Sequence, residues 1–355
     1  MTASANDPRK FFRGSVAISG GRISSVLPAT PDNGSDDRGT ESENRSRRVI
    51  DAGGKLLMPG LINLHNHVAM SLMRNYADDL PLMEWLADRV WPFEAKLTGD
   101  DVYLGARLGI AEMLLGGTTT FVDMYWHADR VAEAVLESGM RAVVCPAFID
   151  TNYEAFERET VRLVERYAGA DGGRLGVRIA PHAPYTCSPE SVRKALSLCE
   201  RYGLGIHVHL SETRSETETI RQRYDKTPTE YLRDLGVFDY PTLAVHCVHL
   251  TEEDMDILLR YGVSVAYNPQ SNMKLASGIA PVARMIGRGL TVGIGTDGPC
   301  SNNDLDMWDE MRTASLLQKV ATGDASVLPA YETLRMATVG GACAVGMEGE
   351  LGVVA

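Results

Sequence analysis

From Gly60 onward, short apolar runs alternate with longer stretches in which apolar positions recur three and four residues apart. The runs fall at 61–65, 118–124, 141–148, 175–181, 205–210, 242–247, 263–267 and 290–296. Amphipathic segments lie between them, among them 100–115, 128–138, 190–202, 252–261 and 280–288. Apolar spacing of three and four marks helices, and short apolar runs mark strands. Strand–helix alternation repeated eight times predicts an α/β fold, a TIM-type (β/α)8 barrel of parallel strands. An open doubly wound sheet is the competing architecture. It would bind a ligand where strand order reverses, and would not gather polar residues from the ends of strands one, five, six and eight.

Before Gly60 the pattern changes. Residues 15–28 predict two short strands around the turn Gly20-Gly21. Residues 30–48 are dense in Pro, Asp, Asn, Gly, Ser, Glu and Arg and nearly free of apolar side chains, so they predict a mobile loop. A strand-like return follows at 49–55. This suits a small β-sandwich built from the chain ends: 1–58 its N-terminal part, 59–335 the barrel, and 336–355 a short C-terminal return.

Composition narrows the function classes. The 355 residues suffice for one large domain and a small one, and 44% hydrophobic with 23% charged content is ordinary for a globular enzyme. A formal net charge of −12 argues against nucleic-acid polymers and anionic membranes as partners and favours a small neutral or zwitterionic molecule. Self-association is left open. The six cysteines are scattered without a C-x-x-C pair, which predicts reduced thiols in a cytosolic protein. No apolar run reaches the length of a membrane span, and the N-terminus lacks the regions of a signal peptide.

Candidate chemistry sits at the C-terminal ends of the runs, where barrels carry their active sites. The first run ends in His65-Asn66-His67. Residues i and i+2 of a strand share a face, so two imidazoles can aim at one point, and imidazole is a preferred zinc ligand. The fifth run ends in His209-Leu210-Ser211-Glu212, the sixth in His246-Cys247-Val248-His249 and the eighth in Thr296-Asp297-Gly298. Closing the barrel brings Asp297 beside His65 and His67.

The ordered set P-G-L-I-N-L-H-N-H, H-L-S-E, H-C-V-H-L, N-P-Q-S-N-M-K-L and G-T-D-G-P-C-S-N-N resembles the amidohydrolase superfamily. Within it the chain is similar to the methylthioadenosine/S-adenosylhomocysteine deaminases and their relatives, the guanine deaminases and triazine chlorohydrolases. The resemblance runs from about Ser15 to the end. It implies a metal-dependent hydrolytic deaminase of an adenosine-type nucleoside. His65, His67, His209 and Asp297 match the metal ligands, with zinc as the expected ion and iron also accepted. Binuclear members bridge their metals through a carboxylated lysine on strand four. Strand four here reads Gly176-Val177-Arg178-Ile179-Ala180-Pro181 without one, so one ion is expected. Glu212 matches the proton shuttle. His246 matches the histidine that stabilises the attacking hydroxide, although spacing alone leaves His249 open. Asp297 also orients that hydroxide. His207 reads as a core histidine.

Two further matches address substrate. His182 corresponds to a histidine that hydrogen-bonds the purine ring, and Glu94 to a carboxylate that binds both ribose hydroxyls. Relatives that accept S-adenosylhomocysteine carry an arginine just after strand three, where this chain has Pro146. Arg158 matches a second arginine position. The resemblance also implies sandwich strands beyond Glu350-Leu351-Gly352, so apolar residues near 339–354 are expected to lack cover. The alternatives are hydrolysis of guanine or a triazine, against which Glu94 argues, and a non-catalytic scaffold, against which the complete ligand set argues. The cytidine-type zinc deaminases need P-C-x-x-C, which is absent.

Overall fold

In this computed structural model, residues 12–29 and 48–354 are described. The loop expected at 30–48 falls almost wholly outside them. Among the described residues there are ten strands: β1 (Gly14–Ser19), β2 (Arg22–Pro28), β3 (Leu61–Asn66), β4 (Thr118–Tyr125), β5 (Arg141–Phe148), β6 (Leu175–Pro181), β7 (Gly205–Leu210), β8 (Thr242–His246), β9 (Ser264–Tyr267) and β10 (Val292–Ile294). β1 and β2 form an antiparallel hairpin, and β3 to β10 form one parallel sheet in sequence order. Helices cross between successive strands, as the (β/α)8 pattern requires. Their starts follow side-chain chemistry. Thr98, Thr227 and Thr251 each cap a helix by accepting a backbone N–H three residues on, and Asp101, Glu230 and Asp254 return the bond.

Two apolar layers hold the barrel. Alternate strand residues such as Ile62, Leu64, Val122, Val143 and Val245 fill its interior, and Phe121, Val144, Ile206 and Val208 pack outward against the helices. A short helix, Gly341–Val345, adds Ala342 and Ala344 to the interior layer. The buried Arg178 on β6 donates to the Ala344 carbonyl oxygen at 2.9 Å. Thus 336–345, expected within the return to a sandwich, is helical. Beyond it a bridge between Glu348 and Leu351 is the β structure among the described residues. The hairpin β1–β2 is likewise two-stranded. Val354 is buried, whereas Val353, Ile18 and Leu57 are exposed. Among the described residues no helix is long and apolar enough to cross a membrane.

Barrel closure is achieved at one end. Residues 290–296 were expected as the last strand, but the ladder ends at Ile294. The chain then crosses to β3: the Asp297 N–H donates to the His65 carbonyl oxygen at 2.9 Å, and the Thr296 N–H to Asn63 Oδ1 at 3.1 Å. Gly295 makes this approach sterically feasible, since a Cβ there would lie 2.7 Å from the His65 nitrogen.

Candidate active site

The site lies at the C-terminal strand ends, and local departures from regular strand geometry aim its side chains. Between β3 and β4, Asn63 pairs with Phe121 but Asn66 with Asp123, so β3 carries one extra residue. That bulge shifts the alternation. Ile62 and Leu64 therefore stay in the barrel interior while His65 and His67 meet at its mouth. His246 and Asp297, at the ends of β8 and β10, adopt left-handed backbone with φ of 70° and 61°. Non-glycine residues rarely do so, and such strain gathers at functional sites.

Four side chains converge. His65 Nε2 and His67 Nε2 each lie 3.2 Å from Asp297 Oδ1. His209 Nε2 lies 3.2 Å from His65 Nε2. The outer nitrogens are already engaged. His67 Nδ1 bonds the Met124 carbonyl oxygen, and His209 Nδ1 bonds that of His182 at 2.8 Å. A carbonyl only accepts, so both rings carry a proton on Nδ1 and turn Nε2 inward, as a lone pair in His209 and, without metal, as an N–H toward Asp297 in His67. Two groups that share His65, one of His65, His67 and Asp297 and one of His65, His209 and His246, each bring their ligand atoms within 4.8 Å of one another, close enough to hold a divalent ion. No lysine lies on β6 to bridge a second.

The charges agree with the packing. Burial lowers His65 to about 4 and pushes His209 well below the ordinary imidazole value. Burial also opposes protonation of His67, but its bond to Asp297 and that carboxylate's charge win and raise it to about 9. Asp297 is held well below the usual carboxylate range: burial works against this, and the bonds and charges of His65 and His67 overcome it. Its Oδ2 accepts from Ser271 Oγ at 2.5 Å and Ser301 Oγ at 2.8 Å.

Glu212 is buried, and its carboxyl is pushed well above the usual range by that burial and by the nearby charges of Asp297 and Glu216. Its backbone N–H and that of Ser211 donate to the buried Glu216 carboxylate at 2.8 and 2.9 Å, which fixes the turn carrying it. Ser277 Oγ donates to Glu212 Oε1 at 3.4 Å. His246 Nε2 lies 3.8 Å from Glu212 Oε2, and burial lowers this imidazole to about 3. Between the two histidines that spacing left open, the structure puts His246 in the cleft lining, whereas His249 is half-buried with Nε2 on the Ser277 carbonyl oxygen.

A cleft of about 590 Å³ including its open mouth rises from this point, within the usual size range for small-molecule sites. His182 lines it, with Nδ1 against Thr186 Oγ1 at 3.1 Å, and its ring sits 4.8 Å from that of His209. Glu94 lines it from the helix Trp91–Glu94 and accepts from Trp126 Nε1 at 3.0 Å. Burial raises the Glu94 carboxyl, and the bonds from Trp126 and Tyr125 restrain that rise. Trp85, Trp91, Tyr185, Leu86 and Leu275 complete an apolar wall. Of the residues expected at the site, Arg158 alone is not brought there. It is exposed on the helix Tyr153–Tyr167, and among the described residues no lysine or arginine lines the cleft.

Some partners were not foreseen from sequence. His207, expected in the core, presents Nε2 to His65 Nδ1 at 2.8 Å, one layer below the ligands. The spacing H-x-H on β7, matching that of β3, was its one signal. Trp126 and Glu216 carried none.

A model of the amidohydrolase family matches residues 56–355. The chain belongs to the amidohydrolase family. Among its relatives, a 5-methylthioadenosine/S-adenosylhomocysteine deaminase of Desulforudis audaxviator (strain MP104C) is 51% identical over 347 residues, which is 97% of this chain and 78% of that protein. A protein of the same name from Pelotomaculum thermopropionicum is 50% identical over 338 residues, 94% of this chain and 76% of that one. Among solved structures, an adenosine deaminase from Xanthomonas campestris with bound zinc superimposes with a TM-score of 0.84 at 35% identity, covering 96% of this chain and 77% of its own. A guanine deaminase from C. acetobutylicum shares the fold, with a TM-score of 0.85 at 24% identity over 96% and 82% of the two chains.

Proposed function

We propose that this amidohydrolase, a hydrolytic aminohydrolase by its family and relatives, deaminates an adenosine-type nucleoside with one zinc ion. Methylthioadenosine, adenosine or 5′-deoxyadenosine plus water would give the inosine analogue plus ammonia. The observation that carries this reading is that His67, His209 and Asp297, which with His65 are the proposed ligands, line one cleft with Glu94, a carboxyl group held by Trp126. Iron is the alternative ion for the same donors.

When bound, the ion would lower the pKa of water to about 7 and make hydroxide available at neutral pH. The residues of the chain do the rest. Asp297 accepts a hydrogen bond from the attacking oxygen and orients it. Glu212 takes the proton from water and returns it to the purine ring nitrogen beside C6, which makes that carbon electrophilic. Burial suits Glu212 to this work, because its proton is held more tightly than on a solvated carboxylate. His246 donates to the oxygen as it attacks, and His182 bonds the purine. Glu94 accepts both ribose hydroxyls, each charge-assisted bond contributing about 1.5–3 kcal/mol. Apolar side chains around the mouth suit an uncharged 5′ group.

Ammonia release from adenosine, 5′-deoxyadenosine, methylthioadenosine, S-adenosylhomocysteine, guanine and adenine tests the proposal. Turnover of the nucleosides with little from either free base is expected. Activity confined to guanine would overturn it.

A further inference from the structure

His67 and His209 have their outer nitrogens on backbone carbonyls, which fixes their tautomer. His246 is different. Its Nδ1 faces two side-chain amides: Asn272 Nδ2 at 2.9 Å and Asn268 Nδ2 at 3.3 Å. Both asparagines are buried, at 1% and 0% exposure, so no solvent competes for the ring. His246 is the last residue of β8 and has a left-handed backbone, and these two amides are what engages its outer nitrogen.

We infer that Asn272, backed by Asn268, is a positioning residue that holds His246 with its proton on Nε2, so that this ring enters the cleft as a hydrogen-bond donor. Both amides turn Nδ2 toward the ring, and an amide N–H only donates, so Nδ1 is the acceptor and the proton sits on Nε2. Nε2 faces the cleft, 3.8 Å from Glu212 Oε2. Two carbonyl-fixed rings thus supply lone pairs to the donor set, and one amide-fixed ring supplies an N–H. The opposite tautomer would turn a lone pair onto an incoming hydroxide and lose the interaction.

The same stretch of chain holds the other two proton-handling groups. Ser271 Oγ donates to Asp297 and Ser277 Oγ to Glu212. The segment 268–277, whose N-P-Q-S-N pattern has no role of its own in the ligand set, touches Asp297, Glu212 and His246 at once.

The kinetic part of the test rests on the proposed aminohydrolase activity and the spectroscopic part does not. Long-range 1H–15N correlation of the zinc-loaded, histidine-labelled enzyme should show His246 with the proton on Nε2. Asn272→Asp has nearly the same shape, but its carboxylate accepts from Nδ1–H. It should move the proton to Nδ1 and lower kcat by about 10²-fold or more, the scale of losing one aimed donor, with zinc content unchanged and KM within about twofold. Asn272→Ser is smaller but can still donate, and should keep the Nε2–H tautomer and lose less than about tenfold in kcat. A purely space-filling role predicts the reverse order, with the isosteric aspartate milder. A wild-type His246 protonated on Nδ1, or an Asn272→Asp enzyme of normal kcat, would overturn the inference. Wild-type enzyme inactive on every nucleoside would count against the proposed function, and the tautomer measured in it would still decide the role of Asn272.

Discussion

Exchanging the methylthio group of the substrate for a homocysteine tail adds a carboxylate and an ammonium at the cleft mouth. The apolar part of the cleft lining includes Leu82, Leu86, Val90, Trp91 and Leu275, and among the described residues no lysine or arginine is in the lining. Pro146, inside the third barrel strand β5 (Arg141–Phe148), has no backbone donor and no charge, and Arg158 is exposed on its helix. A cation pairing with the tail carboxylate would contribute about 1.5–3 kcal/mol, and here that contribution is missing. At 1.4 kcal/mol per decade this corresponds to about 10- to 150-fold. We therefore expect kcat/KM for S-adenosylhomocysteine to fall below that for methylthioadenosine by that factor, most of it in KM, because the tail is remote from the reacting carbon. Steady-state ammonia release at matched ionic strength measures both constants. Arg158→Ala should leave the ratio unchanged. Equal or better use of S-adenosylhomocysteine, or its selective loss in Arg158→Ala, would refute the reasoning and bring a cation to the mouth after all.

Two further outcomes follow from the site. Glu212→Gln keeps the shape of the side chain but cannot carry a proton, so turnover should fall roughly 10²- to 10⁴-fold with metal content intact; near-normal turnover would remove Glu212 from the reaction. Without metal, His67 is raised to about 9 and so holds its proton at pH 7, whereas His65 and His209 are lowered and do not. Binding needs the His67 lone pair, so zinc uptake at pH 7 should release about one proton and tighten as pH rises toward 9; titration calorimetry showing no dependence on buffer ionisation enthalpy would contradict this.

The barrel was legible because its signal is repetitive. Each strand is a short apolar run and each helix shows its own periodicity, so errors stay at the ends, as at 290–296. The clustering of the candidate site residues was legible because H-x-H, H-L-S-E and T-D-G place chemically distinctive residues at run ends. What escaped were contacts made by ordinary residues across long separations. His207 looks the same in sequence whether it fills a core or props His65. The bulge at Asn63–Asn66 and the left-handed φ of His246 leave no mark on the residue types, yet they aim the side chains. Arg158 shows the converse: a suggestive position along the chain whose helix turns it outward. The sandwich expectation leaned on strands at both chain ends, and the described residues there hold a hairpin and a single bridge.

Closure of the barrel at Asn63 and Thr296 joins positions 233 residues apart. That contact carries a consequence for how the protein is made. During synthesis β3 and its two histidines emerge first, and the carboxylate that completes the donor set emerges last. Contacts so distant along the chain form late and slowly. For most of its time on the ribosome the nascent chain can offer imidazoles but no Asp297. Capture of an ion by the proposed donor set would therefore wait for the final strand, and the proposed centre would also report whether the barrel has been finished.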